Sequence, residues 1–146
     1  MKDQRSAHII KVSYNDFFEA SYAPCLKSID LLLKTMEMPL TVDEAAEALC
    51  LSEDEVHSIM KKESVVAIDR HAMLSIMAQG ESGVCRLYQR EVACGSPSLY
   101  SPADIAYIYG LDNATVARGF NKLGYVAVTS ADVPAVLSQI TVYIAY

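Results

Sequence analysis

The sequence predicts a mostly α-helical protein made of two tandem copies of one helical unit, each carrying a short β-strand. Three observations carry this. Apolar residues recur at helical spacing behind Ser, Thr or Asp and ahead of Gly or Pro, the pattern of short capped helices. Only brief β-prone runs break that pattern. The chain also echoes itself at an offset of 60 positions: Leu40 meets Tyr100, Thr41 meets Ser101, Ala46 meets Ala106, Leu51 meets Leu111 and Val56 meets Val116. The echo continues through Lys62 and Lys122, through residues 65–68 and 125–128, and back to Cys25 and Cys85. A period of that length suits a duplicated domain, because each copy can close a small core of its own.

The elements follow in order. Residues 7–12, AHIIKV, alternate as a strand does. Ser13 or Asn15 then caps a helix through Tyr22, which Pro24 ends or kinks by removing an amide donor. A second helix runs from Cys25 to about Glu37, with Leu26, Ile29, Leu32, Leu33 and Met36 on one side. Residues 40–62 form the first helix pair, with a capped second helix opening on Ser52, Glu53, Asp54 and Glu55. Residues 82–94 form a helix assignable to either copy, and the GSPS of 95–98 is the best linker. Residues 1–94 and 95–146 are accordingly the two units. After each pair comes a short strand, 65–68 and 125–128, and the last helix runs from about Ser130 to Ile140 with Pro134 in its first turn. Residues 141–146 (TVYIAY) form a final apolar run that pairs within the chain or between protomers.

The stretch around which the chain is organised is 100–125. Ser101 is an N-cap followed by Pro102 and Asp104, Ile105, Ala106 and Ile108 face inward, and Gly110 supplies positive φ at the helix end. Leu111 plugs the corner, Asp112 or Asn113 caps the second helix, and Val116 and Phe120 point into the core. Two short helices meeting at a tight turn over a small residue, here Ala106, make a helix-turn-helix, and a small sheet beside it makes the arrangement winged-like.

Within it, DIAYIYGLDNATVARGFN resembles the DNA-binding motif of the lactose-repressor family, where D-V-A, A-G-V, A-T-V-S-R and a later Asn recur. Asp104, Ile105, Ala106, Gly110, Leu111, Ala114, Thr115, Val116, Arg118 and Asn121 occupy the matching places over about 20 residues. The resemblance implies that Asn113 and Ala114 face base edges, that Arg118 reaches a base, and that Thr115 and Asn121 hold phosphates. Gly119 departs from the motif, standing where an apolar residue is usual, at roughly 1 kcal/mol of helix stability. Arg118 and Lys122, four residues apart, share one side of that helix.

Charge divides the two copies. The chain of 146 residues carries 12 basic and 18 acidic side chains, a net charge of −6 and the wrong sign for holding phosphates. The excess is local: residues 40–78 hold eight acids against three bases, whereas 96–146 hold three against two. The acids Glu53, Asp54 and Glu55 suit a helix N-terminus but repel a DNA backbone where a reading helix inserts. The second copy opens instead on neutral Asn113, Ala114 and Thr115.

Composition argues for a folded chain, with 52% hydrophobic and 21% charged residues. No apolar run is long enough for a signal peptide or membrane span, so a cytoplasmic protein is expected. Cys25, Cys50, Cys85 and Cys94 form no CxxC pair, and His8, His57 and His71 lie at no metal-ligand spacing from them. Reduced, mostly buried thiols are expected, with no metal or cofactor. None of the motifs GxGxxG, GxxxxGK[ST], GxSxG or HExxH occurs, so no enzymatic activity is expected. Two functions follow: a DNA-binding transcription regulator reading double-stranded DNA through the second copy as a homodimer, or an acidic protein-binding module or inhibitor of mobile-element type. The latter would engage a basic partner, such as a nucleic-acid enzyme, through Glu53, Asp54 and Glu55.

Overall fold

The structure, a computed structural model, describes residues 9–145. It is mostly helical with one small sheet: β1 (Ile9–Ser13), α1 (Tyr14–Ser21), α2 (Ala23–Thr35), α3 (Val42–Leu49), α4 (Glu53–Lys62), α5 (Arg70–Met77), α6 (Gly83–Ala93), α7 (Pro102–Tyr109), α8 (Asn113–Leu123), a 3-10 turn (Ser130–Asp132), α9 (Val133–Leu137) and β2 (Thr141–Ala145). The chain divides into two compact units. Ser21–Ser96 forms one, and the residues up to Ala20 join those from Pro97 onward in the other. The helix of 82–94 therefore belongs with the first unit, and β1 with the second.

In the first unit, α2 to α6 enclose a core of Ile29, Leu49, Val56, Ile68, Met73, Ile76 and Cys85. Thr41 and Glu44 form a capping box on α3, each side chain bonding the other's backbone amide. Arg70, at the start of α5, donates from its guanidinium to the carbonyls of Leu33 and Met36, occupying acceptors that the end of α2 leaves open.

In the second unit, Ile105, Ile108, Val116, Phe120, Val128, Val136 and Leu137 form the buried centre. Tyr14 stacks edge-on against Tyr109 at 6.0 Å between ring centres, and Phe18 does so at 5.4 Å, fixing α1 to the end of α7. The strands β1 and β2 pair antiparallel with Ile10 opposite Ile144 and Lys11 opposite Tyr143. Ala7, His8 and Tyr146, the ends of the two expected strands, lie outside the described residues.

The repeat is visible residue by residue in the backbone. α3 and α7 both span eight residues at the offset of 60, and α4 and α8 both start one residue after a side-chain N-cap, Ser52 and Asp112. Cys50 and Gly110 both take the left-handed conformation, at φ 56° and 66°, and Ser64 and Gly124 do so at 56° and 72°. The corner bond from the Leu51 amide to the Ala46 carbonyl measures 2.9 Å, as does its counterpart from Leu111 to Ala106.

Besides the division into 1–94 and 95–146, three expectations change. Residues 65–68 and 125–128 are not strands: each segment contributes a single bridge, Ile68 with Leu40 and Val128 with Tyr100. Their partners can offer no more, because capped helices begin at Val42 and Pro102, while Val66 and Val126 stand 97% and 88% exposed. The last helix is shorter than 130–140, split into the 3-10 turn and α9, with Pro134 at the start of α9 and the Ser138 hydroxyl donating to the Pro134 carbonyl at its end. Of the four thiols only that of Cys85 is buried: Cys50 is exposed because it is the left-handed residue closing α3.

Candidate nucleic-acid interface

The candidate interface is built on α7 and α8. The Ser101 hydroxyl accepts from the Asp104 amide at 3.2 Å while the Asp104 carboxylate accepts from the Ser101 amide at 2.9 Å, so α7 starts from a closed capping box. Gly110 ends it at φ 66°. Of the two candidate caps for α8 it is Asp112 that serves, accepting from the Thr115 amide and from the Thr115 hydroxyl, each at 3.0 Å. These two bonds, with the nearby Arg118 charge, hold the Asp112 carboxyl below its usual value.

Packing then divides α8 into two sides. Val116, Gly119 and Phe120 are buried, whereas Asn113, Ala114, Arg118, Asn121 and Lys122 are exposed and Thr115 is half-buried. The six residues singled out in the sequence thus lie outside the buried stripe of one helix, although Asn113, at its first position, is half a turn round from Lys122. Thr115 differs from expectation in one respect: its hydroxyl donates to Asp112 and accepts from the Arg118 guanidinium at 3.2 Å, so its proton is already used within the cap. Asp112, Thr115 and Arg118 form a chain that orients the guanidinium along the helix.

Sequence reasoning missed the other wall. An open groove of about 660 Å³ runs beside α8, lined by Thr115, Arg118, Gly119, Asn121 and Lys122 and, across from them, by Gln139, Thr141 and Tyr143. Among the described residues no carboxylate lines it. The last three residues lie 16 or more positions downstream of Leu123, and only the alternation of 141–145 hinted that two of them share a face.

The equivalent surface of the first unit is different. Ser52 caps α4 by accepting from the Glu55 amide at 3.1 Å, and Glu53 and Asp54 are exposed in its first turn. Glu55 is half-buried and accepts from the Glu81 amide at 2.9 Å, which gives it a structural task. Of the three acids offered to a basic partner, two are therefore left facing solvent.

Elsewhere in this unit the Cys25 thiol lies 3.8 Å from that of Cys50 and donates to the Ala48 carbonyl at 3.2 Å. Burial first, and then its bond with Cys50, push the Cys25 thiol up to about 11. Among the described residues no three of His, Cys, Asp and Glu gather to hold a metal ion, and no helix is long and apolar enough to cross a membrane. No family model, curated protein or solved structure matches the chain.

Proposed function

We propose that the chain is a double-stranded-DNA-binding regulator that reads the major groove with α8 of a helix-turn-helix, acting as a homodimer in a reducing, cytoplasmic setting. The observation that carries the reading is the uncovered side of α8: Asn113 and Ala114 at its opening, then Arg118, Asn121 and Lys122, with a buried side that fixes their direction. Asn113 and Ala114 meet base edges, Arg118 reaches a guanine, and Asn121 and Lys122 serve the phosphates, while Thr115 stays bonded to Asp112 and orients Arg118. In a twofold dimer the two reading helices stand one DNA turn apart, roughly 34 Å.

A gel shift with random-sequence duplex at low salt tests it. Wild-type protein shifts the duplex, binding falls steeply as salt rises, and Arg118→Ala costs roughly 1–3 kcal/mol on a preferred sequence. Absence of any shift at low salt would overturn the reading.

A second reading has its own observation in the exposed Glu53 and Asp54 at the start of α4. Under it the chain binds a basic protein and no DNA, and reversing those two charges abolishes partner binding.

A further inference from the structure

The described residues of the second unit carry few cations, and two of the three sit together. Among its described residues the bases are Lys11, Arg118 and Lys122, against the acids Asp16, Glu19, Asp104, Asp112 and Asp132. Arg118 and Lys122 line the groove beside α8, and Tyr143 and Thr141 of β2 face them across it. In the antiparallel register Lys11 stands opposite Tyr143, and Ser13 opposite Thr141. Directly opposed residues project from the same face, with Cβ atoms about 5 Å apart. The outward face of the ribbon therefore continues the groove with one more ammonium group and three hydroxyls. Val142 and Ile144 alternate to the other face, where they line an apolar cleft with Tyr14 and Phe17; the Tyr143 side chain borders both this cleft and the groove. Two of the acids are spent as helix caps, Asp104 on α7 and Asp112 on α8, and none lines the groove.

We propose that this β-ribbon is a second nucleic-acid contact, which clamps a phosphodiester strand of the same duplex through Lys11, Thr141 and Tyr143 while α8 occupies the groove beside it. The inference rests on the DNA-binding reading above. The ligand chemistry is a run of backbone phosphates, recognised by an ammonium group and hydroxyl donors without regard to base. An α-helix alone leaves the flanking backbone unheld, and a polar, donor-rich wall next to the reading helix supplies that hold. The bases on this face also explain how a chain of net charge −6 meets a polyanion: the attraction is local.

The test is fluorescence anisotropy of labelled duplex titrated with full-length protein at 50 and 200 mM salt. Each phosphate contact contributes a slope of about −0.9 in log affinity against log salt, so each is worth roughly a 3.5-fold fall in affinity over that range. Lys11→Gln is expected to shrink the wild-type fall by that factor, and to weaken binding equally on random and preferred duplex. Tyr143→Phe weakens both duplexes alike with the slope unchanged. Both positions are exposed, so the fold is retained, and unchanged far-UV circular dichroism checks that. If wild type binds and both variants match it in affinity and slope, the ribbon is no contact, while the α8 reading stands. If wild type binds no duplex, both proposals fall together. If Lys11→Gln alters one sequence only, the ribbon reads bases and the phosphate clamp is wrong.

Discussion

Two glycines of one helix pair, substituted by the same residue, should move stability in opposite directions. Gly119 lies buried in the middle of α8, where it faces α9. A Cβ built there meets the Gln139 Cβ at 3.5 Å and the Val136 carbonyl oxygen at 3.6 Å, ordinary van der Waals distances. Gly119→Ala then gains roughly 1 kcal/mol of helix propensity and about 0.8 kcal/mol for one more buried methyl group. The sum is about 1–2 kcal/mol of stabilisation, or a rise of roughly 3–6 °C in Tm for a chain of this size. Gly110 sits at φ 66°, where a Cβ crowds the following carbonyl, and Gly110→Ala should cost about 1–2 kcal/mol. Thermal and urea unfolding followed by circular dichroism measure both. A destabilised Gly119→Ala would mean that α8 and α9 approach more closely than the structure places them, and equal signs at the two positions would refute the reasoning.

The repeat supplies a further test, because Ser64 holds φ 56° where its counterpart Gly124 holds 72°. Ser64→Gly should stabilise by about 0.5–1 kcal/mol, the relief of left-handed strain less the greater freedom of the unfolded chain, read as a raised urea midpoint. The raised Cys25 thiol makes the unfolded chain the easier one to ionise, so stability is intact below 9.0 and declines as pH climbs from there to about 11. Cys25→Ser should flatten part of that alkaline decline in denaturant titrations, and Cys85, whose thiol burial also raises, keeps the rest. Asp112 has the opposite sign: its lowered carboxyl contributes stability above the usual carboxylate range, which is lost as pH falls through the folded value. Asp112→Asn keeps a good cap, removes that acid-side dependence, and should tighten duplex binding by deleting a negative charge beside Arg118; unaltered affinity at low salt would count against α8 as the reading helix.

Local chemistry made much of this architecture legible. Ser101, Thr41, Ser52 and Ser82 announce helix starts because their hydroxyls can satisfy amides two or three residues on, and each does so in the structure. Gly110 marks its turn because few other residues tolerate that backbone, and at Cys50 only the offset of 60 points to the same conformation. What could not be read depends on partners distant in sequence. Residues 65–68 have the composition of a strand, yet pairing requires a neighbour with free backbone, and a helix cap leaves only Leu40. Joining β1 to β2 brings together segments more than 120 residues apart, which no periodicity encodes. Half of the candidate site was similarly hidden. The outward side of α8 follows from 3.6-residue spacing, but Gln139, Thr141 and Tyr143 reach it only through the turn after α9.

Each helix pair is also tied at its base. The Leu40 amide donates to the Ile68 carbonyl at 2.9 Å, and Tyr100 and Val128 exchange bonds of 2.7 and 3.0 Å. A segment whose first and last residues clasp each other meets its flanking chain at two points only a strand's width apart, about 5 Å. Such a segment has the geometry of a cassette: 100–128 grafted in place of 40–68 is expected to meet the flanking chain at junctions of the same spacing.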